Sequence, residues 1–156
     1  MITTTKYNQT TISKKVSLDG VGLHTGKDVT LTFYPSESNT GYVFKRVDLE
    51  GEPIVEADIN YVTNTERGTC LNKNNVIIQT CEHVLASLVG LQIDNALIEL
   101  NASEPPIMDG SSKYFVEALE KAGIKQLNDK RKEFIVKNVI SFKDEDSGSE
   151  ITVIPS

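Results

Sequence analysis

Histidine occurs only twice in the 156 residues, as His24 and His83, which makes the search for reactive groups short. His83 directly follows Glu82, near the start of an apolar pattern of helical spacing. An imidazole that binds a metal, next to a carboxylate, is the usual minimum for activating a water. The metal lowers the water's pKa toward ~7 and the carboxylate takes its proton. A helix N-terminus disfavours added positive charge, so His83 is expected to stay neutral near pH 7, the form a metal requires. The same pair is also what an exposed acid beside a partly buried histidine looks like.

The other candidates are weaker when read singly. A catalytic zinc takes about three protein ligands and an open position, and no such set is evident here. Cys81 and His83 are two residues apart on the expected helix, about 200° around its axis, so a regular helix cannot aim both at one ion. A structural zinc site built from Cys70, Cys81, His83 and His24 lacks any recognised spacing. His24 lies in GVGLHTG, Gly20 to Gly26, which has neither the register nor the following helix of a dinucleotide fingerprint. PPIMDGSS, Pro105 to Ser112, reads as a turn into a helix whose free N–H groups Asp109 or a following serine could cap. Glu104, beside Pro105, carries no signal of its own.

These residues need elements to hold them. Apolar residues alternate from Thr11 to Leu18, with Lys14 breaking the pattern, and cleanly from Lys27 to Pro35, which predicts two half-buried strands joined by the glycine-rich loop as a broad hairpin. Further strands are expected over 41–48, 68–72 and 76–79, the last two joined by a turn at Lys73, Asn74 and Asn75. The stretch 51–65 has no clear period. Thr80 is the expected N-cap of a helix reaching about Leu91, on the spacing of Val84, Leu85, Leu88 and Leu91. A buried strand follows over 95–100. A second amphipathic helix is expected from Lys113 to Ala122, stopped by Gly123. This order predicts an α+β two-layer sandwich over residues 1–124. Residues 125–133 read as a polar linker. Residues 134–156, with strands expected over 134–142 and 150–154, read as the beginning of a second domain.

Composition narrows the function classes. Sixteen basic against twenty-two acidic residues give a net charge of -6, which argues against a surface built to neutralise nucleic-acid phosphates. Two cysteines are too few for a disulfide framework, so free thiols in a reducing cytoplasm are expected. The polar, Thr-rich amino terminus lacks the pattern of a signal peptide, and no apolar run reaches transmembrane length.

GVGLHTG, then TCEHVLASLVGLQIDNALIEL from Thr80 to Leu100, then PPIMDGSS resemble, in order and spacing, the first domain of the UDP-3-O-acyl-N-acetylglucosamine deacetylases, the zinc-dependent hydrolases of lipid A biosynthesis. The resemblance spans essentially the whole chain. It implies two similar α+β domains with the active site between them, and a first domain like the ribosomal S5 second-domain class. It implies that His83 is a zinc ligand, with a histidine and an aspartate of the second domain completing the set. Glu82 matches the general base, and Leu23 and His24 match the substrate-side edge of the cleft. The implied partners are a UDP-linked acylated glucosamine and the rest of the protein's own chain. Because Ser156 precedes the second-domain ligands, the resemblance also implies that these 156 residues alone are inactive. Some members are fused to a 3-hydroxyacyl-carrier-protein dehydratase. A non-catalytic α+β domain for binding or assembly is the competing reading, since fold alone does not determine function.

Overall fold

Strict alternation of apolar and polar side chains gives strand β3 (Asp28–Tyr34) one inward face, Val29, Leu31 and Phe33, all buried. The computed structural model describes residues 2–155. Met1 and Ser156, the outer ends of the two expected domains, lie outside the described residues. The chain divides into two compact units, Gln9–Asp129 and a smaller one made of Met1–Asn8 with Lys130–Ser156.

The first unit is built on a five-stranded sheet. Its members are β2 (Val16–Val21), β3, β4 (Tyr42–Arg46), β5 (Ile54–Glu56) and β9 (Ala96–Leu100), in the spatial order β2-β3-β9-β4-β5. Strand β9 is central, antiparallel to β3 and parallel to β4. The pairs Leu31↔Leu100, Phe33↔Ile98 and Phe44↔Ile98 set the inward side chains of three strands side by side. A smaller antiparallel sheet holds β6 (Val62–Asn64), β7 (Cys70–Lys73) and β8 (Val76–Ile78). Asn74 and Asn75, with φ of 51° and 66°, form the tight β7–β8 turn that the asparagine pair predicts.

Helices α1 (Glu82–Gly90) and α2 (Lys113–Ala122) give Val84 and Leu88, and Phe115 and Leu119, to the same core as the strands. The Phe33 and Phe115 rings meet edge to face with centroids 6.5 Å apart. Burying each of these aromatic rings contributes roughly 2–3 kcal/mol. Among the described residues no helix is long and apolar enough to cross a membrane.

Several expectations change. The single strand expected over 11–18 is two: β1 (Ile2–Ile12) ends and β2 begins after a bend at Ser13 and Lys14, where the alternation breaks. Thr80 does not cap α1. Cys81 holds the cap position without a side-chain bond, because the Thr80 hydroxyl is committed elsewhere. At the start of α2 the expectation holds for one serine: Lys113 N donates to the Ser111 hydroxyl at 3.2 Å, while Ser112, at the cap position, makes no side-chain cap bond. Asp109 accepts from Ser111, and the Ser112 hydroxyl donates to the His83 carbonyl. Helix α2 spans the expected residues and stops at Gly123, whose φ of 73° suits glycine. Residues 125–133, read as a linker, lie within strand β10 (Ile124–Phe134), which pairs with β1. In the smaller unit, β11 (Ile140–Lys143) and β12 (Glu150–Val153) form an antiparallel hairpin, while residues 135–139, expected as strand, are irregular.

Candidate functional site

The loop between β2 and β3 is closed by Gly22 and Gly26: Gly22 N donates to the Lys27 carbonyl, and Gly26 N to the Gly22 carbonyl, each at 3.0 Å. Bareness is required where two chain segments meet. A Cβ on Gly20 would stand 2.8 Å from Pro106 Cβ, and one on Gly22 would stand 2.7 Å from Glu104 Oε2. The loop therefore lies directly against the segment after β9, and Ile107 N donates to the Val21 carbonyl at 2.9 Å. On its other side that segment accepts at Ser103 O from Gln79 N, at 2.8 Å.

Glu104 is the residue at this junction. It is wholly buried, with 0% of its surface exposed. His24 N donates to both carboxylate oxygens, at 3.2 and 3.0 Å. Thr25 N and the Thr25 hydroxyl each donate to Oε2 at 3.0 Å, and the Thr80 hydroxyl donates to Oε1 at 2.8 Å. Burial pushes this carboxyl up, and the hydrogen bonds from Thr25, Thr80 and His24 together outweigh it and hold the pKa below the usual carboxylate value. Thr80 sits at φ 50°, a conformation costly for a β-branched residue. No sequence signal singles out Glu104, because its partners are 24 to 80 positions away.

Two residues beyond Thr80, α1 begins with Glu82 and His83. Thr69 N donates to Glu82 Oε2 at 2.9 Å, which fixes one carboxylate oxygen. The side chain keeps 39% of its surface exposed. His83 Nδ1 stands 4.0 Å from Glu82 Oε1, beyond hydrogen-bond distance, and is buried with no hydrogen-bond partner. An imidazole nitrogen in that state is unsatisfied by the protein around it. Ser112 holds the backbone of His83 through its carbonyl, so the third motif touches the second there. Cys81 Sγ points at the Thr69 carbonyl, 3.4 Å away, and burial, with the Glu82 charge beside it, pushes its thiol up to about 12. That is a structural cysteine, not a ready thiolate. Among the described residues no three His, Cys, Asp or Glu side chains are grouped to hold a metal ion. His83, whose side chain keeps 27% of its surface exposed, fits a contribution of one ligand.

A cleft of about 300 Å³ opens beside this helix start, lined by His24, Asn64, Glu66, Arg67, Gly68, Cys70, Gln79 and Thr80. Leu23 is 55% exposed at the tip of the glycine-rich loop. The structure thus draws His24, Thr80 and, through Thr69, Glu82 around one region of the first unit. Cys70, from β7, joins the lining without having been picked out for it.

The comparisons with known proteins concern the same residues. A family model described as UDP-3-O-acyl N-acetylglycosamine deacetylase (LpxC) matches residues 9–156. The bifunctional enzyme LpxC/FabZ of Bacteroides thetaiotaomicron is 46% identical over 147 residues, 94% of this chain and 32% of that protein. The UDP-3-O-acyl-N-acetylglucosamine deacetylase of Geobacter sp. strain M21 is 43% identical over 95% of this chain and 48% of its own length. That of Idiomarina loihiensis is 43% identical over 92% of this chain and 47% of its own length. The chain spans about half the length of these deacetylase relatives and about a third of the bifunctional one. With the match running through all three motifs, the chain belongs to the UDP-3-O-acyl N-acetylglycosamine deacetylase family.

Proposed function

We propose that this chain supplies the first-domain share of a zinc-dependent hydrolase that removes the N-acetyl group from a UDP-3-O-acyl-N-acetylglucosamine, a step of lipid A biosynthesis. The observation that carries the reading is the start of α1, where Glu82 is held by Thr69 N and stays accessible beside a His83 imidazole with an unpartnered nitrogen. Amide hydrolysis needs a nucleophile that is strong at neutral pH and a counter-charge for the developing oxyanion. A zinc ion, when bound, lowers the pKa of a water and polarises the amide carbonyl. His83 would hold that ion with ligands from outside these residues.

Glu82 would take the proton from the attacking water. Thr69 N orients the carboxylate, leaving Oε1 for that work, and the accessible side chain can reach solvent and substrate. Leu23 and His24 would meet the sugar nucleotide at the rim of the cleft. The single five-stranded sheet sharing one core with two helices supports the reading of an α+β two-layer sandwich resembling the ribosomal S5 second-domain class. Free Cys70 and Cys81 suit a reducing cytoplasm as the place of action.

The test is acetate release from the N-acetylated substrate by this chain extended to the length of its relatives. Glu82→Gln should retain zinc and lower the rate by roughly two to four orders of magnitude with little change in KM. His83→Ala should lose zinc affinity and activity together. Near-normal turnover by Glu82→Gln at full metal content would remove Glu82 from the mechanism.

A further inference from the structure

We propose that Glu104 is a positioning residue: its buried carboxylate spans from the His24 loop to Thr80 and holds the rim of the cleft in register with the start of α1. The proposal rests on the functional reading above for what the rim does, and on geometry alone for the span. Backbone bonds join the base of the loop and Gln79 to the segment around Glu104, through Ile107 N to the Val21 carbonyl and Gln79 N to the Ser103 carbonyl, and the Glu104 side chain alone reaches the loop tip and the Thr80 hydroxyl. The loop's own closure is two backbone bonds at Gly22 and Gly26, and the His24 and Thr25 amides find their acceptor in Glu104. At the other end Thr80, at φ 50°, is anchored by its hydroxyl to Oε1 two residues before Glu82. One side chain therefore ties the segment bearing Leu23 and His24 to the segment bearing Glu82 and His83.

The span requires a polar group at each end and the length to place both. Four groups converge on one carboxylate, and every one of them can donate. An ionised carboxylate offers about four acceptor sites and no donor, so it matches the set with every group donating. The reach matters as much, because Oε2 takes the Thr25 donors and the shorter bond from His24 N, while Oε1 takes the Thr80 hydroxyl and the longer bond from His24 N. Aspartate keeps the charge and is shorter by one methylene, so it cannot serve both ends. Glutamine keeps the length. Its carbonyl can take the Oε2 position against the loop amides while its NH2 faces a Thr80 hydroxyl turned to accept.

A purely structural role and a positioning role differ in that ranking. In the protein extended to family length, Glu104→Asp should raise KM for the nucleotide sugar about tenfold while kcat changes less than about threefold. Glu104→Gln should raise KM by no more than about threefold. Amide exchange supplies a readout independent of activity. His24 and Thr25 should exchange at least about tenfold faster in Glu104→Asp, with Ile98 and Leu119 in the core unchanged. Equal KM in the two variants, unaltered His24 and Thr25 exchange, or loosened amides with unchanged KM would each overturn the proposal. An unvaried protein without deacetylase activity would sink the functional reading, and the exchange data would still decide the span. Should Glu104→Asp fail to fold, Thr25→Val removes one hydroxyl donor. It should give a smaller change in the same direction, which Thr25→Ser reverses.

Discussion

Glu82 and Glu104 stand on either side of Thr80 and meet opposite treatment. Glu104 is fully buried and surrounded by donors from three residues. Glu82 has a single backbone donor, a half-open side chain and a neighbouring imidazole nitrogen with nothing to bond. A saturated carboxylate has no lone pair to spare for a reaction and serves to hold other groups. An undersaturated one, next to a partly exposed histidine, is available. Polar satisfaction, more than depth in a cleft, separates the residue that can react from the residue that positions it.

The contrast can be broken most directly by truncating each acid in turn. Glu104→Ala should lower stability by about 3 kcal/mol or more, since it strands several buried donors, while Glu82→Ala should cost about 1 kcal/mol or less. Urea unfolding of both variants measures the pair, and similar losses would erase the distinction. Gly22→Ala probes the same junction by crowding. Its Cβ would press on the Thr25 hydroxyl and stand 2.7 Å from Glu104 Oε2, so a loss of about 1–3 kcal/mol is expected. A stability equal to that of the unaltered protein would mean that the loop is not held against the acid.

The smallest expected effect is with pH. Glu104 is held below the ordinary glutamate value of 4.5, so its contribution to stability is complete above that pH. As pH falls below 4.5 the unfolded chain takes up the proton first, and the contribution is lost as pH passes through the lower folded value. Denaturation at stepped pH should show the unaltered protein losing stability across that window more steeply than Glu104→Gln. Equal slopes would mean that the buried carboxylate is not ionised.

What could be read from sequence followed periodicity. Helix α2 is legible because Phe115, Val116 and Leu119 recur at helical spacing and Gly123 supplies its stop. The β2–β3 hairpin is legible in Val29, Leu31 and Phe33 and in the glycines that close its loop. Strands β1 and β10 are not, because IKQLNDKRKEF is mostly exposed and ITTTKYNQTTI is polar almost throughout, with Gln9 and Thr11 among its buried residues, so no apolar alternation marks them. Thr80 looked like a helix cap by residue type, and its hydroxyl does make a short-range decision, but toward a carboxylate 24 residues away. Glu82 and His83 stood out as an adjacent pair. Glu104 did not, since burial of a lone acid is decided by partners that only the fold brings near.

The central place of β9 bears on how the protein comes into being. Since β9 lies between β3 and β4, the ribbons β2–β3 and β4–β5 have no common partner until residues 96–100 have been synthesised. Two-stranded ribbons are marginal in water, so the sheet and the core on it must close late, around a strand that joins distant parts of the chain. Glu104 emerges from the ribosome only after that strand. A nascent chain halted before it would carry His24 on an unpinned hairpin and an open, sticky sheet edge, which makes the stretch up to residue 104 the interval in which a chaperone has most to protect.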